Sequence, residues 1–207
     1  LQPLMSGRVK IEGVTLKPAG PHDNAGIFEN PKFKRGEFGL LDLNLGDVIP
    51  AIEAGWDYVC FPFFCKRKPV WNYVWVRADR GINSPKDLQG KTFAGNFGVI
   101  VPTWTRGFLA QDYGVDISNI TWLTSGPGRF ELYKPQNTKI AADRKPNPQR
   151  LLDGEVDAIT GDITDPRAWE ALESSPEVRR LFPDYREKHL QLWKERGIVT
   201  PAHIFLM

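Results

Sequence analysis

Cysteine is scarce: two residues, Cys60 and Cys65, in a chain of 207. That excludes a disulfide-stapled scaffold and a cysteine-rich zinc site. An extended chain would hold the two about 16 Å apart, too far for a bond unless Pro62 turns it, so buried free thiols are expected. Histidine is nearly as sparse, with three residues, and the loop pair His22-Asp23 has no second histidine nearby, so no metal site is expected. No apolar run approaches the roughly 18 residues of a membrane span. Excess charge of one sign is also lacking. Lys and Arg total 27 against 25 acids, a formal charge of +2, too even for a protein that coats nucleic-acid phosphates. Leu1 to Met5 lacks the basic start and apolar run of a signal peptide. There is no internal repeat, no low-complexity tract, and no Ser-His-Asp or Cys-His constellation. Ser125-Gly126-Pro127-Gly128 is a tight loop without the Gly-Lys-Ser/Thr that would make it a phosphate cradle.

What is present is the balance of an ordinary globule, 41% hydrophobic and 25% charged. The length suits one large domain or two small lobes, and folding would bury roughly 70% of the extended-chain surface. Aromatics reach 12%, with seven Trp. Such area with a polar handle fills a core or lines a cleft that sorts flat organic ligands.

Val9 to Leu16 alternates apolar and polar residues and predicts a strand. Pro18 to Asn30 reads as a loop with a short helix near Gly26 to Glu29. Asn44 caps a helix running through Ile52, and Gly55 closes it. Asp57 to Phe64 and Val70 to Val76 are β-prone runs. Ser84-Pro85 starts a helix that Gly90 ends. Beyond it the pattern gives strands at Lys91 to Asn96, Ile120 to Leu123 and Val156 to Thr160. Helices are expected at Val101 to Asp112, Asp165 to Leu181 and Tyr185 to Arg196, with a helical turn at Arg150 to Leu152. Ser125 to Asn147 is a long polar loop, and Ile198 to Met207 is a last strand. Strands alternating with helices predict an α/β fold with a largely parallel sheet.

The phrase Gly81-Ile82-Asn83-Ser84-Pro85-Lys86-Asp87-Leu88-Gln89-Gly90-Lys91 resembles the hinge and helix of type II periplasmic-binding-protein folds. Trp104-Thr105-Arg106-Gly107, Asp112-Tyr113-Gly114-Val115 and Ile120-Thr121-Trp122 follow it. Then come Leu152-Asp153-Gly154-Glu155-Val156-Asp157-Ala158-Ile159, Arg180-Leu181-Phe182-Pro183-Asp184, and Gly197-Ile198 leading to His203. In that order the set resembles the 4,5-dihydroxyphthalate decarboxylase family. The resemblance implies two α/β lobes: residues 1–78 as a partial first lobe, 79–196 as the second, and 197–207 returning to the first. By the same comparison the chain is expected to be incomplete at both ends. Two departures stand out. Where the family carries Arg, two residues, then an Arg-His pair, this chain has Arg67, then Val70 and Trp71. Where it tends to place Thr ahead of Trp-x-Arg-Gly, this chain has Ile100. Both changes remove polar groups from the expected cleft.

Site candidates combine that resemblance with residue chemistry. Arg106 suits bidentate capture of a carboxylate, against the alternative of a solvated helix face. Arg67 is a second clamp by matching position, or a solvated charge at a strand end. His203 is a lone titratable group in an apolar strand, either a core residue or the proton donor of the family site. Asp42 interrupts the apolar run Phe38 to Leu43. It either holds a phenolic proton at the mouth of the sheet or caps the following helix together with Asn44. Phe97, Trp104 and Trp71 are the expected aromatic walls.

The resemblance thus implies a cofactor-free, non-oxidative decarboxylase of a hydroxylated aromatic ortho-dicarboxylate, a cytoplasmic lyase working between the lobes. The rival from the same fold is a periplasmic solute-binding protein that hands an organic anion to a transporter permease. In either case the partner is a small molecule, with no nucleic acid and no membrane span, and a homo-oligomer is compatible with the sequence.

Overall fold

The computed structural model describes residues 3, 6–15, 17, 31–34, 36–126, 136–161 and 163–206. The chain divides into two compact units, residues 1–41 and 42–207. In the first, Pro31–Lys34 forms one helical turn, α1, closed by the bonds Glu37 N to Lys32 O and Gly36 N to Phe33 O. Val9 to Val14 is not the expected strand. Gly13 sits at φ 75°, and the Val14 N–H bonds back to Ile11 O, so the stretch turns rather than extends. The short helix expected near Gly26 to Glu29 and the pair His22-Asp23 lie outside the described residues.

In the second unit, β-branched and aromatic runs build two sheets. The smaller has the order β1-β9-β2, from Leu41–Asn44 (β1), Pro201–Leu206 (β9) and Cys60–Arg67 (β2). Strands β2 and β9 run antiparallel. The larger has the order β6-β5-β4-β7-β3-β8. Its strands are Trp75–Arg77 (β3), Thr92–Ala94 (β4), Thr121–Thr124 (β5), Thr138–Ile140 (β6), Ala158–Ile159 (β7) and Val178–Arg180 (β8). Strands β4 to β7 are mutually parallel, and β3 runs antiparallel to both β7 and β8. The sheet is therefore mixed rather than largely parallel.

Helices join the strands where caps and stops dictate. Helix α2 (Leu45–Glu53) begins at Asn44, whose side chain accepts from Gly46 N at 2.9 Å. Helix α3 (Ile100–Gln111) buries Ile100, Val101, Thr105, Phe108 and Leu109 on one face. Helix α4 spans Asn147–Leu152, α5 Pro166–Ser174 and α6 Tyr185–Arg196. The expected single helix over Asp165 to Leu181 is in fact α5 followed by strand β8. Pro176 biases Ser175 toward extended backbone, where its φ and ψ are −78° and 127°. The polar loop Ser125 to Asn147 contains the unforeseen strand β6. The run Val70 to Val76 splits into a 3-10 turn at Val70–Tyr73 and the short β3. The 84–88 helix is a single 3-10 turn under a Ser84/Asp87 capping box.

One core cluster gathers Trp71, Phe93, Phe108, Ile120, Trp122 and Phe182 with their aliphatic neighbours. A second packs Trp75, Leu151, Val156, Ile159 and Leu172 on the opposite face of the larger sheet. Arg77 is buried at the end of β3, where it holds both Asp79 oxygens at 2.9 Å and Glu177 at 2.8 Å. Neither cysteine is a buried core thiol: Cys65 is exposed and Cys60 half-buried.

Candidate active site

Alternation along β1 turns Leu41 and Leu43 inward and Asp42 outward. Alternation along β9 does the same, with Ala202 and Ile204 buried and His203 on the other face. Because β1 and β9 are neighbours, the two outward groups meet: His203 Nδ1 lies 2.5 Å from Asp42 Oδ1. The ring is 23% exposed and the carboxylate 43%. The hydrogen bond to His203 holds the Asp42 carboxyl below the usual carboxylate range. Burial pulls the other way, and His203, the Cys65 thiol and the Lys66 ammonium add to the lowering. The Cys65 thiol is pushed up by burial and by the Asp42 charge.

The carboxylate fixes what the imidazole can do. An ionised Asp42 accepts from Nδ1–H, so Nε2 becomes the nitrogen that gains or gives a proton. Nε2 has no hydrogen-bond partner among the described residues. This is an oriented acid–base group facing away from its anchor. Of the two Asp42 oxygens that the sequence reading offers to a phenolic proton, Oδ1 is taken up by the His203 contact, and the helix cap belongs to Asn44. Arg67, at the exposed end of β2, pairs in register with Pro201, and no ion pair occupies it among the described residues.

A second cluster sits on α3. The Trp104 indole donates from Nε1 to Pro201 O at 2.9 Å, which ties the helix to the strand that carries His203. Its ring stacks on Phe108 at 5.5 Å. The Arg106 guanidinium lies 4.2 Å from the centre of the Phe97 ring and 5.7 Å from Trp122. It donates to Thr103 Oγ1 at 3.2 Å, while Nη1 is buried without a partner among the described residues. Burial, with no carboxylate paired to it among the described residues, pushes the Arg106 pKa down to about 10. Phe97 is itself buried and meets Trp122 edge-on. Trp71 stands elsewhere. It is 5% exposed, stacked on Phe108 at 4.6 Å and edge-on to His189, and it fills the core rather than a site wall.

A cavity of about 470 Å³ opens at the carboxyl ends of β4, β5 and β7, where open α/β sheets gather ligands. Asn96, Ser125 and Thr160 line it, with Arg144 at its rim. Asn96 Oδ1 accepts from Ser125 N at 2.9 Å and from its hydroxyl at 2.8 Å. Thr105 Oγ1 donates to Val101 O, so Thr160 donates to Thr105 across 2.8 Å. None of the seven residues singled out from the sequence lines this cavity. The signal was available, since Asn96, Ser125 and Thr160 each stand just past the carboxyl end of a strand. One polar residue at a strand end is common, however, and nothing in the pattern joins the three. Among the described residues no cluster of three or more His, Cys, Asp or Glu gathers as a metal would need.

Two sheets bridged by two crossing segments, with a cavity at the strand ends, define the type II periplasmic-binding-protein fold. The alkanesulfonate-binding protein SsuA from Xanthomonas axonopodis pv. citri, solved bound to MOPS, superposes with a TM-score of 0.52 at 20% identity. The match covers 84% of this chain and 49% of that one. No protein-family profile matches the chain. Among curated proteins, the 4,5-dihydroxyphthalate decarboxylase of Comamonas testosteroni is 32% identical over 218 aligned positions, covering 97% of this chain. The 4,5-dihydroxyphthalate decarboxylase of Pseudomonas putida is 28% identical over 201 positions, 89% of this chain. The resemblance drawn from the motifs is thus a resemblance of the whole chain. The chain spans 62% of the Comamonas relative's length and 73% of the Pseudomonas one.

Proposed function

We propose that the chain carries the active site of a non-oxidative decarboxylase acting on a hydroxylated aromatic ortho-dicarboxylate of the 4,5-dihydroxyphthalate kind. The observation that carries this reading is the Asp42–His203 contact, an oriented proton donor on an exposed sheet face. A phenolate oxygen para to the departing carboxylate pushes electron density into the ring. The ring carbon that bears this carboxylate takes the proton from His203 Nε2. The carbon–carboxylate bond then breaks, its electron pair returns to the ring, and carbon dioxide leaves. The net change is one proton in place of one carbon dioxide, and His203 is reprotonated from solvent. Asp42 steadies the imidazolium between these steps.

Arg106, an unneutralised guanidinium held over aromatic faces, is the group we assign to the spectator carboxylate. Trp104 and Phe97 flank it as apolar walls that keep water from the ring. Trp71 is assigned to the core. The lobe division at residues 78 and 196 belongs to the same reading, with β3 hydrogen-bonded into the second-lobe sheet. A cytoplasmic lyase fits it. No helix among the described residues is long and apolar enough to cross a membrane.

The rival is a solute-binding protein for an organic anion. It is favoured by the cavity at the strand ends, which none of the seven candidate residues lines. Carbon dioxide release from 4,5-dihydroxyphthalate by the full natural protein separates the two. Turnover by wild type and a loss of about 10²–10⁴-fold in His203→Gln, with binding retained, support the enzyme. Saturable binding without carbon dioxide release overturns it. Full turnover by His203→Gln removes His203 from the mechanism.

A further inference from the structure

Strand β9 is irregularly held where it carries His203. The residue opposite in β2 is Lys66, and the pairing register shifts on both sides of it, between Phe61 and Lys66 and again between Lys66 and Arg67. Such irregularities break a ladder locally and let a strand bend. Pro201, the first residue of β9, has no N–H, so its carbonyl is the backbone group left to anchor the start of the strand. The ladder with β2 alone therefore fixes the imidazole two residues further on only loosely.

Helix α3 supplies the missing support. Trp104 Nε1–H donates to Pro201 O at 2.9 Å. Ile100 N–H, one turn earlier, donates to Asn44 Oδ1 at 3.2 Å. Val99, which precedes the helix, has no side-chain acceptor, so the first N–H of α3 is capped from strand β1. Residues four apart share one stripe of a helix and lie about 6 Å apart along its axis. Neighbouring strands are about 4.8 Å apart, so one helical turn reaches from β1 to β9. Each grip falls two residues from a member of the His203–Asp42 contact: Asn44 from Asp42, and Pro201 from His203. Alternation along a strand places residues two apart on the same sheet face.

We propose that Trp104 is a positioning residue, which holds His203 at hydrogen-bond distance from Asp42 through its bond to Pro201. The Ile100–Asn44 bond fixes the other partner from the same helix. Trp104 thus acts through the strand, beyond the apolar wall that its ring provides. The catalytic consequence rests on the decarboxylase reading, whereas the geometric claim stands without it.

The tautomer of His203 tests the proposal. It is read from the ring-nitrogen shifts of the full natural protein carrying isotope-labelled histidine, and assigned by their absence from His203→Gln. While Asp42 accepts from Nδ1–H, the neutral ring keeps its proton on Nδ1, against the preference of a free imidazole for Nε2–H. Trp104→Phe keeps an aromatic ring against Phe108 but lacks the donor. It should move the tautomer ratio about three- to tenfold toward Nε2–H, the equivalent of about one hydrogen bond. Asn44→Ala should move it the same way, and Asn44→Asp, which keeps an acceptor, should hold it near the wild-type value. Phe108→Leu loosens the packing of the indole, leaves its donor in place, and should not move the ratio. Where carbon dioxide release is measured, Trp104→Phe should lower kcat about tenfold at unchanged KM. A ratio unmoved by Trp104→Phe, or moved equally by Phe108→Leu, overturns the positioning role and leaves the Asp42–His203 contact standing. A wild-type ring already in the Nε2–H form removes that contact, and both this proposal and the decarboxylase reading fall. A tautomer response without carbon dioxide release supports the positioning role and overturns the decarboxylase reading alone.

Discussion

Gly46 occupies the tightest backbone approach in the second unit, and replacing it with alanine should open the seam between the two sheets. A methyl there would sit 3.0 Å from the Gly98 carbonyl carbon, 3.0 Å from Asn44 Oδ1, and well inside contact distance of the Gly98 oxygen. The obstacle on the Gly98 side is backbone, so no side-chain rotation relieves it. The loop that carries Phe97 must retreat by about 1 Å, an overpacking cost of about 1–3 kcal/mol. The retreat also strains the Asn44 cap, whose loss adds about 1 kcal/mol. Alanine returns at most about 1 kcal/mol through its higher helix propensity. A net destabilisation of about 1–3 kcal/mol corresponds to a melting temperature lower by about 2–10 °C for a chain this long. Gly107, in the middle of α3, is the control. A methyl there meets nothing within 4 Å, so Gly107→Ala should raise stability by about 0.5–1 kcal/mol. Thermal unfolding of both variants by circular dichroism measures the contrast. Gly46→Ala melting at or above wild type would refute the reasoning.

Two further outcomes follow from the charges. Arg106→Met should weaken binding of an aromatic dicarboxylate by about 10–100-fold, the value of a charge-assisted contact. Calorimetric titration with equal affinities for the two proteins would take Arg106 out of the site. His189 packs edge-on to Trp71 with Nε2 buried and unpartnered, and burial pushes its pKa down to about 4 from an ordinary 6.5. The neutral form is therefore the native one. Its contribution is complete above pH 6.5 and is lost as pH falls through the window from 6.5 to 4. With discount for the solvent that reaches the ring, about 1–2 kcal/mol is at stake. His189→Phe should flatten the pH dependence of denaturant unfolding over that window, and an unchanged slope would show that another group titrates there.

The elements most legible in the sequence are those whose signal is local. Asn44 announced α2 because a cap is a one-residue device, and α3 followed from its apolar period. Strand β8 was hidden because Val178-Arg179-Arg180 carries only one apolar residue. Its arginines serve the tertiary structure instead: Arg180 lies 4.4 Å from the Trp75 ring and binds Glu173, and Arg179 reaches Ile82 O. Strand β6 was hidden for a related reason, since its pairing with β5 is long-range and leaves no periodic trace in Thr138-Lys139-Ile140. At the site, Asp42 and His203 were conspicuous as titratable groups in apolar strands, and sheet order brought them together. Trp71 misled because an aromatic near a strand crossing suits a cleft wall and a core equally well. Only its neighbours Phe108, Phe182 and His189 decide between the two.

One side-chain oxygen reaches across the two halves of the second unit. Asn44 Oδ1 accepts from Gly46 N in its own helix and from Ile100 N, the first residue of α3, at 3.2 Å. The segments that cross between the sheets are fastened to each other by Lys68 N to Thr200 O and by the Thr200 hydroxyl to Lys68 O. Among the described residues these are joined by a third tie, the Trp104 indole on Pro201 O, so a paired strap and two latches hold the halves together. Parting the two halves on the latch side requires Asn44 to release one of its two helices. Two helix N-termini thus share one acceptor, and neither can shift against the other without changing the bond count at that single atom.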